Sequence, residues 1–281
     1  LTQPKADLPR FSLREMTSEI ASCLKNDNFR MTLIGMLLLS ATTGVRETIH
    51  SYVSLFFWEL PADKIRIFGL ATPPAFILAF VLTVPLHKRF EKRNTILGAI
   101  ALMVFSTTVP VALRLAGMMP PNGTGPLTAI LMLFTFLFYG GFAVNMISLL
   151  SVLADVADEH ELITGKRQEG IFVAARTFFS KFSTGFGHIL AGAAIDLIKF
   201  PTGAKPGEIA TATINQLAIM DGWVAAIPSV IAMFFYARYK IDRRRLLEIQ
   251  AQLEHRRSSI PPAKPLRGDE APIPSIEPAP I

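Results

Sequence analysis

The first long apolar segment of the chain, residues 30–57, carries Arg46, Glu47 and His50 in its interior. Arg46 and His50 are four residues apart and share one helical face, whereas Glu47 points about 100° away from Arg46. A charge at the centre of a bilayer costs about 2.5–3.5 kcal/mol on insertion scales, so such residues usually face a cavity or a partner. We expect a polar patch on a water-filled pathway. The alternative is an interhelical ion pair that only fixes packing.

A second polar group lies in the apolar segment 171–198. Four of its residues have the spacing i, i+4, i+7 and i+11, which forms one stripe along a helix: Thr177, Lys181, Thr184 and His188. Such a row of hydrogen-bonding groups suits a solute rich in hydroxyls. Alternatively, Lys181 only neutralises a carboxylate elsewhere. Asn145 is a further candidate on the same pathway.

Charged residues also cluster where the fourth apolar segment ends. We expect ion pairs that hold one face of the protein closed, with Asp155, Asp158 and Glu161 on one side and Lys166 and Arg167 on the other. His160 among these acids would also suit a metal ion. No second cluster of ligands accompanies it, so we expect no metal site.

The elements that position these residues are apolar runs of roughly 20 residues or more, the length with which a helix crosses ~30 Å of hydrocarbon. The 281-residue chain is 51% hydrophobic and only 18% charged, below the ~25% typical of soluble domains. No segment alternates with period two, which disfavours strands. We therefore predict an all-α integral membrane protein with six transmembrane helices, at approximately 30–57, 67–86, 95–116, 127–153, 171–198 and 217–236.

The basic residues are distributed unequally between the two ends of these helices. Of the 28 Lys and Arg residues, 20 lie in the segments 1–30, 87–94, 154–170 and 237–281. Only four lie in the opposite loops, 58–66, 117–126 and 199–216. Cytoplasmic loops carry an excess of Lys and Arg, so we predict a multi-pass protein of the plasma (inner) membrane with both termini cytoplasmic.

This topology accounts for the net charge of +6, and we expect no nucleic-acid partner. The chain divides into a cytoplasmic lead-in with an amphipathic helix (1–29), a six-helix bundle (30–236) and a basic, Pro-rich tail (237–281). The sequence begins at Leu1 rather than at Met, and we expect further residues upstream.

A longer motif covers the acidic cluster and the segment after it: Ala154-Asp155-(x2)-Asp158-(x2)-Glu161-(x2)-Thr164-Gly165-(x)-Arg167-(x)-Glu169-Gly170, then Phe178-Phe179-(x)-Lys181. This stretch resembles the glycoside-pentoside-hexuronide:cation symporters, the melibiose-permease-like family of the major facilitator superfamily. The resemblance is specific over about 151–192 and softer across 30–57 and the basic loop 87–93.

The resemblance implies that the chain is the C-terminal half of a twelve-helix transporter, with Thr177 and Lys181 lining the sugar cavity. The family's cation-binding carboxylates lie in its N-terminal half, so the Na⁺ or H⁺ that drives transport would bind in a missing half. No other cofactor is expected. The chain departs from the family at Glu159, where an aromatic residue is usual, and in its charged first segment. An acidic or amphipathic glycoside is therefore a candidate cargo.

We predict a half-length secondary transporter that moves a sugar or glycoside by cation-coupled symport with alternating access. Its partners would be the solute, the bilayer, and the missing N-terminal half or a second half-chain. The predicted solute-binding residues are Arg46, Glu47, His50, Asn145, Thr177 and Lys181. Two alternatives are a membrane scaffold that binds partners through its tail and a membrane-embedded enzyme that pairs Glu47 with a histidine. We expect no enzyme, because no catalytic motif accompanies that pair.

Overall fold

The computed structural model describes residues 22–258 except 166–168, 202 and 204, and every regular element within these residues is helical. The α-helices are α1 (Asp27–Tyr52), α2 (Ala62–Phe68), α3 (Thr72–Leu115), α4 (Gly125–Thr164), α5 (Glu169–Leu197), α6 (Thr211–Ile219), α7 (Ile227–Tyr236) and α8 (Arg243–Ser258). A π-helical turn, Val53–Phe57, follows α1; a second, Met220–Val224, joins α6 to α7; and a 3₁₀ turn, Gly69–Ala71, joins α2 to α3. The predicted all-helical fold is confirmed.

α1 begins where the sequence provides a helix cap. The side chain of Asn26 accepts a hydrogen bond from the backbone N–H of Phe29 at 2.9 Å, and Asp27 lies in the first turn. Both features stabilise the unpaired N–H groups at a helix start. The helix then continues through the π-helical turn to Phe57, in agreement with the predicted segment 30–57.

α3 reverses direction at Glu91, whose φ of 64° and ψ of 162° are not helical. The part of α3 before Glu91, residues 72–90, is called the first arm, and the part after it, residues 92–115, the second arm. The first arm contacts α4 at Phe76–Phe142 and His87–Ser148. The second arm contacts α4 at Lys92–Asp155 and Phe105–Phe134. The first arm therefore runs parallel to α4 and the second antiparallel to it. The segment 87–94 was predicted to be a loop, but helix extends to Glu91 from both sides.

Replacing Glu91 with glycine is expected to raise the midpoint of thermal unfolding. A residue with a Cβ in this backbone region costs on the order of 1–3 kcal/mol, which glycine avoids. The measurement is thermal unfolding of the purified protein in detergent. Glu91→Ala is the control, because it removes the same carboxylate and keeps the Cβ. If Glu91→Gly and Glu91→Ala shift the midpoint of thermal unfolding equally, relief of backbone strain is not the cause of the shift.

Within the described residues, three helical stretches are long and apolar enough to cross a membrane: Asp63–Leu115, Gly125–Thr164 and Thr211–Tyr236. The first of them contains both arms of α3 and thus two of the predicted spans. α1 and α5 are outside this group, and they are the helices that carry the predicted polar patch and the polar stripe. The membrane-type helical fold is supported, and the number of six spans stays a prediction.

Two glycines allow α1 and α5 to pack in backbone contact. A Cβ on Gly44 would overlap the carbonyl oxygen of Thr184, and a Cβ on Gly187 would overlap that of Ala41. Small residues at such crossings let membrane helices approach closely. Hydrogen bonds from Ser183 to the Leu37 carbonyl and between Ser40 and Ser180 join the same two helices.

α8, the last helix within the described residues, packs against the helical bundle. Ile249 and Leu253 are buried in the same hydrophobic core as residues of α1 and α4. Arg256 donates hydrogen bonds to the Glu161 and Leu162 carbonyls near the end of α4. The basic start of the predicted tail is therefore an ordered part of the fold.

Candidate functional site

Asp221, in the π-helical turn between α6 and α7, is a buried carboxylate that contacts both predicted basic residues of α1. Its Oδ2 lies 3.0 Å from Nδ1 of His50, and its Oδ1 lies 3.4 Å from Nε of Arg46. The Asp221 side chain is only 5% exposed, whereas that of His50 is 51% exposed. Sequence analysis missed Asp221, although a lone carboxylate in the apolar segment 217–236 is the same kind of signal as Arg46.

Arg46 is held by the aromatic residue Phe138 as well as by Asp221. Its guanidinium carbon lies 4.5 Å from the centre of the Phe138 ring, a cation–π distance. Nη1 of Arg46 is buried and has no hydrogen-bond partner among the described residues. The charge of Arg46 is therefore balanced mainly by one carboxylate, through a single long contact.

A cavity of about 350 Å³ adjoins this cluster, and Arg46, His50 and Asp221 are part of its lining. Small-molecule sites usually have volumes of about 300–1,000 Å³. Serine and threonine hydroxyls from α1, α3 and α4 also line it. Its aromatic lining residues are Trp58, Phe68, Phe134, Phe138 and Tyr139.

The predicted stripe on α5 lines a separate, open depression. The residues around this depression, called the α5 stripe below, are Arg176, Thr177, Ser180, Lys181, Thr184, Gly185 and His188. Lys181 is exposed and has no hydrogen-bond or ion-pair partner among the described residues. The hydroxyl of Thr177 donates to the Val173 carbonyl at 2.9 Å, which leaves its oxygen able to accept a further hydrogen bond.

The predicted solute site is thus divided between two sides of α1. Arg46 and His50 line the cavity, whereas Glu47 lies beside the α5 stripe, where its Oε2 is 3.4 Å from Nε2 of His188. Nδ1 of the same His188 is 2.9 Å from the hydroxyl of Thr48. The division follows from the 100° between successive helical residues, which separates Glu47 from its neighbours.

Asn145 is buried in α4 and lines neither the cavity nor the depression. Its Nδ2 has no hydrogen-bond partner among the described residues. The structure therefore does not bring Asn145 together with the other predicted solute-binding residues.

Comparison with known proteins identifies the family. The profile of the family described as MFS/sugar transport protein matches residues 2–243, most of the chain. The chain belongs to this family. No match was found among curated proteins. The predicted relation to sugar transporters of the major facilitator superfamily (MFS) is confirmed at this level, and the family is one of multi-pass membrane transport proteins rather than enzymes.

In this MFS protein Asp155 pairs with Lys92 of α3. Nζ of Lys92 lies 2.7 Å and 2.6 Å from its two carboxylate oxygens, and the Tyr239 hydroxyl donates to it at 3.2 Å. The reversal at Glu91 places Lys92 opposite the end of α4. Burial and the neighbouring Asp155 carboxylate raise the pKa of Tyr239, so its hydroxyl stays a donor at neutral pH.

The other two acidic residues of the predicted gate differ in their surroundings. Glu161 binds Arg257 of α8, with Nη2 at 2.9 Å and 3.0 Å from its carboxylate oxygens, and this contact raises the pKa of Arg257. Asp158 makes no ion pair within the described part of the chain. The predicted basic partners, Lys166 and Arg167, lie outside the described residues. Their pairing stays a prediction.

No group of three or more His, Cys, Asp and Glu residues within the described ranges could hold a metal ion. The polar groups of this MFS protein are instead arranged as hydrogen-bond donors and acceptors beside open space, in the cavity and along the α5 stripe. That arrangement suits reversible binding of an uncharged or weakly charged polar solute.

Proposed function

We propose that this MFS protein is the C-terminal half of a melibiose-permease-like transporter, which moves a sugar or glycoside by cation-coupled symport. Six helical segments would correspond to helices seven to twelve: α1, the two arms of α3, α4, α5, and α6 with α7. The bundle lies in the plasma membrane with both termini cytoplasmic. Alternating access arises when this bundle rocks against an N-terminal half or a second half-chain.

The observation that carries the proposal is the open α5 stripe. An ammonium group in a membrane helix usually has a charged partner or lines a water-filled path, and Lys181 has no partner among the described residues. The stripe offers it hydroxyl neighbours in Thr177, Ser180 and Thr184. Together these side chains can donate to and accept from several sugar hydroxyls at once.

The faces of α5 beside the stripe support a covering element. Phe178, Phe182 and Ile189 are exposed by 66%, 67% and 69%, an apolar surface that suits lipid or another helical bundle. A second bundle placed over α5 would enclose the stripe and exclude bulk water from it. The chain alone then lacks the opposite wall of the solute site.

The test is glycoside uptake into energised membrane vesicles, with this chain and with a longer form that restores the upstream coding sequence. We expect accumulation with the longer form only. Lys181→Ala should lower it by roughly ten- to a hundredfold, because a hydrogen bond from a charged group contributes about 1.5–3 kcal/mol. The matched control is Lys205→Ala, which removes an exposed lysine from the loop before α6.

Other results would change the proposal in defined ways. Uptake by the short chain alone would indicate a transporter assembled from two half-chains. No uptake of any member of a sugar and glycoside panel, in either a Na⁺ or a H⁺ gradient, would contradict symport. Full activity of Lys181→Ala would remove the α5 stripe from the solute site.

A further inference from the structure

The cavity beside Asp221 contains a histidine that is both accessible and held in one orientation. The half-exposed side chain of His50 lines the cavity, while its Nδ1 is fixed 3.0 Å from a carboxylate that is almost fully buried. A histidine that only fixed helix packing would not need a ring exposed to the cavity. An accessible imidazole with a buried carboxylate partner is a usual arrangement for moving protons.

From this geometry we propose that His50, positioned by Asp221, binds the proton that drives transport. The proposal rests on the proposed symport and assigns its coupling ion to H⁺, at a site within this half of the protein. It differs from the expectation drawn from the family resemblance, which places the coupling cation in the missing half.

The charges around Asp221 favour a proton over Na⁺. A bound Na⁺ needs oxygen ligands that are free of other cations. Both carboxylate oxygens of Asp221 already face nitrogen donors, one on Arg46 and one on His50. The guanidinium of Arg46 is a cation and would repel a metal cation. A proton instead adds to the imidazole of His50 and needs no set of free oxygen ligands.

The proton has a defined path onto and off the ring. An ionised carboxylate only accepts hydrogen bonds, so Asp221 keeps the hydrogen of neutral His50 on Nδ1. The lone pair of Nε2 can then accept a proton from water in the cavity. The resulting imidazolium is stabilised by the Asp221 carboxylate, and it returns the proton from Nε2 without breaking the contact at Nδ1.

Other titratable groups do not compete for this proton. Within the described residues, the remaining charged or titratable groups that line the cavity are Arg46 and Tyr139. α3 lines the cavity with uncharged residues: Thr72, Ser106, Thr107, Pro110 and Val111. Glu47 faces His188 on the other side of α1. The pair of His50 and Asp221 is therefore the group that can change its proton content there.

The backbone on both sides of the pair is also unusual. A π-helical turn begins three residues after His50, and a second contains Asp221. π-Helical turns are rare and occur mostly at functional sites. Both turns contribute lining residues of the cavity, Ser54 and Asp221.

A first experiment tests the site without transport. Purified protein carrying ¹⁵N-labelled histidine is titrated by NMR, and His50→Gln identifies the His50 signals. We expect Nε2 of His50 to bind a proton reversibly while Nδ1 keeps its hydrogen. Asp221→Asn should abolish the preference for hydrogen on Nδ1. If Nε2 of His50 does not titrate, or Asp221→Asn changes nothing, the proton site is wrong, whether or not the protein transports.

A second experiment tests the coupling in proteoliposomes with the longer form. An inward H⁺ gradient should drive glycoside accumulation in the absence of Na⁺. His50→Gln should lower it at least tenfold and leave the remaining uptake insensitive to the H⁺ gradient. His255→Gln, on the exposed face of α8, is the control and should change neither the accumulation nor its dependence on the gradient. Accumulation driven by Na⁺ alone, or retained in His50→Gln, overturns the assignment of H⁺. No glycoside uptake by the unmodified protein would instead count against the proposed function.

Discussion

Replacing Asp221 with leucine is expected to lower the free energy of unfolding by about 3–5 kcal/mol. The substitution leaves Arg46, whose side chain is only 14% exposed, without its carboxylate. Breaking a buried ion pair on one side costs this much because the remaining charge is neither solvated nor balanced. Thermal unfolding and size-exclusion chromatography in detergent measure the loss. Asp196→Leu, at an exposed position near the end of α5, should have little effect.

A double-mutant cycle decides whether the loss comes from the unpaired charge. Removing Arg46 as well, in Arg46→Met/Asp221→Leu, should recover most of the stability lost in Asp221→Leu. Residues in one ion pair typically show interaction energies of about 0.5–3 kcal/mol. Additive losses in the two single variants would mean that the pair in the structure does not couple α1 to the π-helical turn.

Gly187→Ala is expected to lower the free energy of unfolding by about 1–3 kcal/mol, the usual cost of overpacking. The new methyl group would overlap the Ala41 carbonyl oxygen, and backbone cannot move aside as a flexible side chain can. α1 and α5 would have to separate, and the hydrogen bond between Ser183 and the Leu37 carbonyl would weaken. The measurement is again thermal unfolding in detergent.

The matched control for this substitution lies on the same helix. A Cβ on Gly192 would meet no atom within 4 Å. Gly192→Ala should therefore raise stability by up to about 1 kcal/mol, the helix-propensity difference between the two residues. Opposite shifts in the two variants are the expected result. A similar loss in both would point to a general intolerance of α5 rather than to contact with α1.

Much of the fold could be predicted because apolar run length and glycine or proline breaks are local features. The α5 stripe was also predictable, since the spacing of Thr177, Lys181 and His188 alone places them together on a helix. The division of the predicted solute-binding residues between the cavity and the α5 stripe was harder to predict. Arg46 and Glu47 are adjacent in sequence, and only helix packing decides that they face different spaces.

Partners between distant helices could not be predicted from the sequence. The reversal at Glu91 brings Lys92 to Asp155, 63 positions away in sequence, and no local pattern indicates that contact. The same limit applies to Asp221. Its position in an apolar segment signals a buried charge, but the residues that balance it lie more than 170 positions earlier.

The abrupt reversal of α3 also restricts how the protein can move. A single residue joins the two arms, so they have no spare chain with which to slide past each other by a helical turn of 5.4 Å. Lys92 fastens the second arm to α4 directly beyond the reversal. The two arms and α4 would therefore move together as one rigid unit in the proposed rocking motion.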